Sequence, residues 1–308
     1  LGRLAAQHEF ERSGPPEIIS VASLTDDMLV VPVAMGGAPA VGLEKLLSEP
    51  FFYTPIKKLE AYLGRKVDAL APLEIGGVNA LLPFMMASRL KLPVVDGDGM
   101  GRAFPTLDNT TFNIFGVRAS PVVVTNEHGD AVIVDTDRNA LAEIASRSAI
   151  TDLGGATCST LYPMTGAQAR QTLLPGTVGL ALSIGRAIEE ARQSGADPFA
   201  AIERALGIFD RDIVVRQLFE GKVVDVERVI AGGFNRGHGR LSGIDGWTGE
   251  VEFVFQNEYL KATRDGRTLA IVPDLICCLD SATADPATCE TLRFGQRLKM
   301  IAISAPPA

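Results

Sequence analysis

Apolar residues in the first half of the chain come in two alternating textures. Short apolar runs at Met28–Ala34, Val67–Leu73 (interrupted only by Asp68) and Leu92–Val95 read as buried strands. Between them, apolar residues three and four apart mark helices. One helical stretch includes Leu43, Leu46 and Leu47. Another, Ile56–Leu63, stops at Gly64, a natural C-cap, and a third covers Val78–Lys91. Strand, helix, strand in this order predicts βαβ units, and with them a mostly parallel sheet with flanking helices.

Further along, Phe112–Val117 and Pro121–Val134 read as β, the second as an antiparallel hairpin because two β-branched runs flank a Gly-containing turn. Asn139–Ile150 reads as a helix, and "DLGGATCSTLYP" returns to strand and loop. Helices follow over Thr165–Leu173, Thr177–Gln193 and Asp197–Leu206. Thr165 and Asp197 suit N-caps, and Pro198 suits the first helical position. From about Leu218 the texture changes to short β-rich runs broken by Gly and Asp, with "TRDGRT" as a hairpin turn. The expected fold is therefore an α/β layered domain over 1–210, with a helical segment at 164–207. A C-terminal β-barrel-like or sandwich domain would follow over 211–308, the break falling between Gly207 and Leu218.

In a parallel sheet with right-handed crossovers, successive strands end at one edge, where open α/β sheets bind ligands. "MGGAP", "EIGGVN" and "DGDGMGR" each follow a strand directly, so the three glycine-rich loops are expected to gather there.

Composition narrows the choice of function. The 308 residues carry a net charge of −8 with no basic block, which argues against a nucleic-acid partner. No segment approaches the roughly 18 uninterrupted apolar residues of a membrane span, so no membrane role is expected. A basic n-region followed by an apolar h-region is not evident, although the chain opens on Leu1 rather than Met. Four cysteines do not make a disulfide scaffold; a reduced, cytoplasmic protein is the simple reading.

The chemistry concentrates in the glycine loops. Asp96 and Asp98 are two apart at a strand end, where they can hold a hard cation or supply a general base; turn chemistry is the alternative. The run is no EF-hand, because its twelfth position is Leu107, and no dinucleotide fingerprint, because Arg102 stands where a glycine is needed. Glu74 ends an apolar strand, where an acid must be paired, protonated, metal-bound or capping the next helix. Asn79 orients a substrate or caps that helix. Arg102 clamps an anionic group or ties down the aspartates. Thr110 and Thr111 offer hydroxyls, though they suit a strand equally. Cys158, near a helix start, is a weaker nucleophile candidate. His8, His128 and His238 are dispersed, which disfavours a histidine zinc site. Arg236 and His238 either reach a cleft or sit in a solvated loop.

The linked runs "VPVAMGGAPAVGLEKL", "LEIGGVNALLPF", "PVVDGDGMGRAFP" with "TTFNIFG", "YPMTG", "GKVVDVER", "FQNE" and "VPDLI" resemble the S-methyl thiohydantoin desulfurase-like family over essentially the whole chain. Its members occur beside, or fused to, hydantoinase/oxoprolinase-type proteins. The resemblance implies an α/β domain with a β-barrel-like domain, and hydrolysis of a small cyclic amide or amidine of the hydantoin or S-methyl thiohydantoin class. Similar proteins begin with a glycine-rich segment and continue past the β-domain. Should that glycine loop line the site, the pocket of this chain would be incomplete. On this reading Glu74, Asp96 and Asp98 act on substrate as base, acid or metal ligands. Gly36, Gly37, Asn79, Arg102, Thr110 and Thr111 would then bind it. An all-oxygen set suits Mg²⁺ or Mn²⁺ wherever a metal binds. A non-catalytic partner subunit of a hydantoinase/oxoprolinase-type enzyme and a small-metabolite-binding protein are the alternatives, and a homo-oligomer is expected.

Overall fold

The computed structural model describes residues 2–37, 41, 49–104, 106–210, 212–231 and 234–305. The helical stretch expected around Leu43, Leu46 and Leu47 lies outside the described residues, as do Ala38 and Pro39 of the first glycine loop. The chain divides into two compact units, Leu1–Gly179 and Leu180–Ala308.

The first unit is built on a nine-stranded sheet. Its main path runs β1 (Ile18–Ser20), β4 (Val94–Asp98), β3 (Ala69–Pro72), β2 (Leu29–Gly37), β7 (Ala156–Thr160), β5 (Val122–Thr125) and β6 (Ala131–Val134). Two short strands, β8 (Met164–Thr165) and β9 (Leu174–Pro175), pair with β2 and β4. The sheet is mixed, which corrects the expectation of a mostly parallel one. β1, β4, β3 and β2 are mutually parallel, whereas β7 returns antiparallel to β2 and the β5–β6 hairpin continues antiparallel from β7. The buried run at 156–160 fits either direction; what sets it is pairing with Val33–Gly37 more than a hundred residues earlier.

Successive residues of a strand face opposite sides, and both sides of this sheet are covered. Val31, Val33, Leu70 and Val94 pack with Ile56, Leu59, Leu82 and Met86 from α2 (Thr54–Leu63) and α3 (Gly77–Leu90). Val30, Ala69, Ala71 and Val95 belong to a second core with Phe112, Ala142, Ile150 and Tyr162. The helix α1 (Gly2–Ser13) is anchored to α3 by the Glu9–Arg89 ion pair at 2.9 Å.

A second correction concerns 112–117, expected as β. Thr111–Ile114 is a single helical turn, α4, whose N-cap Thr110 accepts the Asn113 N–H at 3.1 Å. Gly116, at φ 75°, ends it. In a segment this short the cap overrides the β-propensity of its threonine and aromatic residues. The hairpin at Val122–Val134 and the helix α5 (Asn139–Asp152) form as their patterns predict. So does α6 (Gly166–Thr172), with Thr165 and Gln168 completing a capping box.

The second unit is an antiparallel seven-stranded sheet curled into a half-barrel. Its order is β14 (Arg267–Ile271), β13 (Glu258–Arg264), β12 (Glu250–Gln256), β11 (Phe234–Gly243), β10 (Val215–Ala231), β16 (Arg297–Ile303) and β15 (Leu275–Asp280). Phe219, Phe253, Phe255, Tyr259 and Met300 fill its concave core. Asp265 and Gly266, both at positive φ, make the tight β13–β14 turn expected from "TRDGRT". Two helices, α7 (Thr177–Ser194) and α8 (Pro198–Phe209), lay Ile184, Ile188, Ile202 and Leu206 against Leu279, Ile301 and Ile303. The boundary between the units falls inside α7, after Gly179. No helix among the described residues is long and apolar enough to cross a membrane.

Candidate active site

Because β3 and β4 are parallel neighbours, "EIGGVN" and "DGDGMGR" leave the sheet at the same edge. Gly76 starts the turn into α3 with no room for a side chain, since a Cβ there would stand 2.8 Å from the Ala103 Cβ. This close approach carries the second loop over the first. Glu74 is caught between them.

Glu74 is buried, with only 8% of its surface exposed. Its Oε1 accepts from Asn79 Nδ2 at 2.6 Å and its Oε2 from the Phe104 N–H at 3.1 Å. Both bonds favour the ionised acid, but burial outweighs them and the charge of Asp98 adds to it, so the carboxyl is pushed up to about 7.

Asp98, at the end of β4, has no exposed surface. Its Oδ2 accepts from the N–H groups of Ile75 (3.0 Å), Met100 (3.1 Å) and Gly101 (2.8 Å). Gly101 reaches this position at φ 67°, a conformation that favours glycine. Burial again dominates: the acid is pushed up to about 6, against the pull of the Thr177 hydroxyl and the three amides. Oδ1 has no hydrogen-bond partner among the described residues, and neither has the Thr177 hydroxyl beside it. That hydroxyl stands close enough to stabilise the carboxylate but outside hydrogen-bonding geometry.

Asp96 lies two residues earlier on the same face of β4. Its Oδ1 accepts the Gly179 N–H at 3.0 Å, and its carbonyl accepts the Gly176 N–H at 2.9 Å. Asp96 thus caps α7 from a neighbouring strand, where the helix dipole favours a negative charge. The three acids expected as one cluster resolve into a coupled pair, Glu74 and Asp98, and a capping acid.

The remaining candidates frame this pair. Asn79 fixes Glu74 and accepts the Met35 N–H at 2.7 Å. Arg102, 6% exposed, sets its guanidinium 4.6 Å above the Phe104 ring and donates from Nε to the Ala103 carbonyl. Thr110 is spent on the α4 cap, and Thr111 donates towards the carbonyls of Gly99 and Thr172, holding the loop after Asp98 in place. Gly36 and Gly37 are ladder residues of β2 opposite Thr157 and Ala156.

Cys158 lies on β7 with its Sγ 4.0 Å from the Met86 sulfur, and burial pushes its thiol far above the ordinary range, so it is a core residue. His8, His128 and His238 are all exposed. Among the described residues no three His, Cys, Asp or Glu side chains converge to hold a metal ion. Both oxygens of Glu74 and Oδ2 of Asp98 are already taken by N–H donors, a poor setting for a hard cation.

Thr177 and Phe104 were not singled out in the sequence. The first was visible only as a residue at a helix start after Gly176. The second contributes its backbone N–H, which no side-chain pattern reports.

Two family models together span the chain: the S-Me-THD-like N-terminal domain over residues 1–136 and the S-Me-THD-like C-terminal domain over 136–308. No curated protein matches the sequence. Among solved structures, the crystal structure of a protein from Chromobacterium violaceum superposes with a TM-score of 0.76 at 22% identity. The match covers 97% of this chain and 84% of that one, a likeness of fold. The two models together cover the whole length, and the chain belongs to the S-Me-THD-like family.

Proposed function

We propose that this protein hydrolyses a small cyclic amide or amidine of the hydantoin or S-methyl thiohydantoin class, with Asp98 as general base and Glu74 as general acid. The observation that carries this reading is the pair of buried, electrostatically coupled carboxyls with displaced acid constants, about 6 and about 7. Between these values the ionised form of Asp98 and the protonated form of Glu74 predominate together, which is what water attack with protonation of the ring nitrogen requires. The family's thiohydantoin-related name supports the substrate class, and the Arg102 guanidinium over the Phe104 ring beside Glu74 suits a planar ring.

The test is methanethiol release from S-methyl thiohydantoin by the full chain. Asp98→Asn keeps an acceptor for the three amides while removing the base, and is expected to lower turnover by about 10²-fold or more with the fold retained. Unchanged turnover in this variant would overturn the assignment.

A further inference from the structure

Asp98 has no surface through which to touch a substrate, so a base at this position acts through whatever adjoins it. What adjoins it is the first residue of an eighteen-residue helix, α7. The Thr177 side chain stands next to the carboxylate, and neither its Oγ nor Asp98 Oδ1 has a hydrogen-bond partner among the described residues. Two adjacent buried oxygens, one an acceptor and the other both donor and acceptor, are what an ordered water satisfies. The other carboxylate at this helix end, Asp96, is already committed to Gly179 and does not compete for that water. The positive end of the helix would also favour a water oxygen that gains negative charge.

We propose that Asp98 Oδ1 and Thr177 Oγ together hold the attacking water, with Thr177 as its positioning residue. This rests on the hydrolytic reading above. The water oxygen bonds to the ring carbon bearing sulfur while Asp98 takes one proton. The C=N electron pair moves to the ring nitrogen, which takes the proton of Glu74. The C–S bond then breaks as the proton held by Asp98 passes through the Thr177 hydroxyl to sulfur, which leaves as methanethiol. The remaining hydroxyl proton returns to Glu74 as the new carbonyl forms. Both carboxyls end as they began.

The test compares Thr177→Val, which keeps size and removes the hydroxyl, with Thr177→Ser, which keeps it, using S-methyl thiohydantoin and the full chain. The valine variant is expected to lose about 30- to 100-fold in kcat, with KM within about threefold and no lower Tm; serine is expected to restore most of kcat. Wild-type kcat in the valine variant would overturn the proposal. So would a loss that serine does not restore, or a ring adduct on Thr177 in the intact mass after acid quench, which would make the hydroxyl the nucleophile. A crystal structure supplies an arm independent of turnover. It is expected to show a water within about 3 Å of both oxygens in the wild type and none in the valine variant. Its absence from the wild type overturns this proposal even where methanethiol is released; no release with the water present overturns the hydrolytic reading alone.

Discussion

Asn79 bridges the main-chain N–H of Met35 and the carboxyl of Glu74, accepting from the first at 2.7 Å and donating to the second at 2.6 Å. One amide therefore locks the end of β2 to the acid that leaves β3, and its two bonds fix which way it points. Asn79→Ala would strip a partner from a half-buried N–H and a buried carboxyl oxygen together. The expected cost is about 1–3 kcal/mol in denaturant unfolding. Because the lost bond favoured the ionised acid, Glu74 should also titrate higher, moving the upper limb of the pH–rate profile to more alkaline pH.

The same pair makes stability depend on pH in a defined direction. Glu74 moves from an ordinary 4.5 to about 7 and Asp98 from 3.8 to about 6. The groups facing them are Asn79, the Phe104 N–H, Thr177 and the amides of Ile75, Met100 and Gly101, besides each other. Both folded values exceed the unfolded ones, so the native chain binds more protons between about pH 4 and 7. Their contribution to stability is complete below the unfolded values and is lost as pH rises through the folded ones. For Glu74 this is on the order of 3 kcal/mol. Tm should fall from pH 5 to pH 8, and Glu74→Gln should flatten that slope. Gln also turns an NH₂ towards a donor, which lowers Tm by an amount independent of pH; the slope is the diagnostic quantity.

How much of this was legible in the sequence differs element by element. The β3–loop–α3 and β4–loop segments were readable because apolar runs stop at glycines that the close approach of Gly76 to Ala103 and the turn at Gly101 require. The direction of β7 was not, since "ATCST" pairs equally well either way and only its partner β2 decides. Nor could the pattern separate Asp96 from Asp98. Both are aspartates before glycine on one face of one strand, and what distinguishes them arrives some eighty residues later, as the Gly179 amide and the Thr177 hydroxyl. Thr110 and Thr111 read as candidate ligands because a hydroxyl looks the same in sequence whether it faces a substrate or closes a loop.

Gly37 offers a test of the frame around the site. It sits at φ 113°, and a Cβ there would lie 2.1 Å from the Gly155 carbonyl oxygen, at the end of the β2–β7 ladder. Backbone cannot yield as a side chain tip does. Gly37→Ala is expected to cost about 3 kcal/mol or more from strain and lost pairing, with amide exchange accelerated first in Met35–Gly37 and Ala156–Cys158. Wild-type protection there would show that the ladder does not depend on the bare glycine.

The two aspartates of β4 should separate cleanly under substitution. Asp96 gives its Oδ1 to the third amide of α7 and its carbonyl to the residue before that helix, so its energetic role is that of a cap. Asp96→Asn retains an acceptor but loses the charge at the positive helix end. A loss of about 0.5–1 kcal/mol is expected, shrinking as salt screens the dipole. Asp96→Ala removes the bond as well and should cost about 1–2 kcal/mol. Turnover of S-methyl thiohydantoin should stay within about threefold of wild type in the asparagine variant, while the matching change at Asp98 lowers it by about 10²-fold or more. Should Asp96→Asn lose turnover as completely as Asp98→Asn, with Tm little changed, the base would be shared between the two carboxylates and the cap would be incidental.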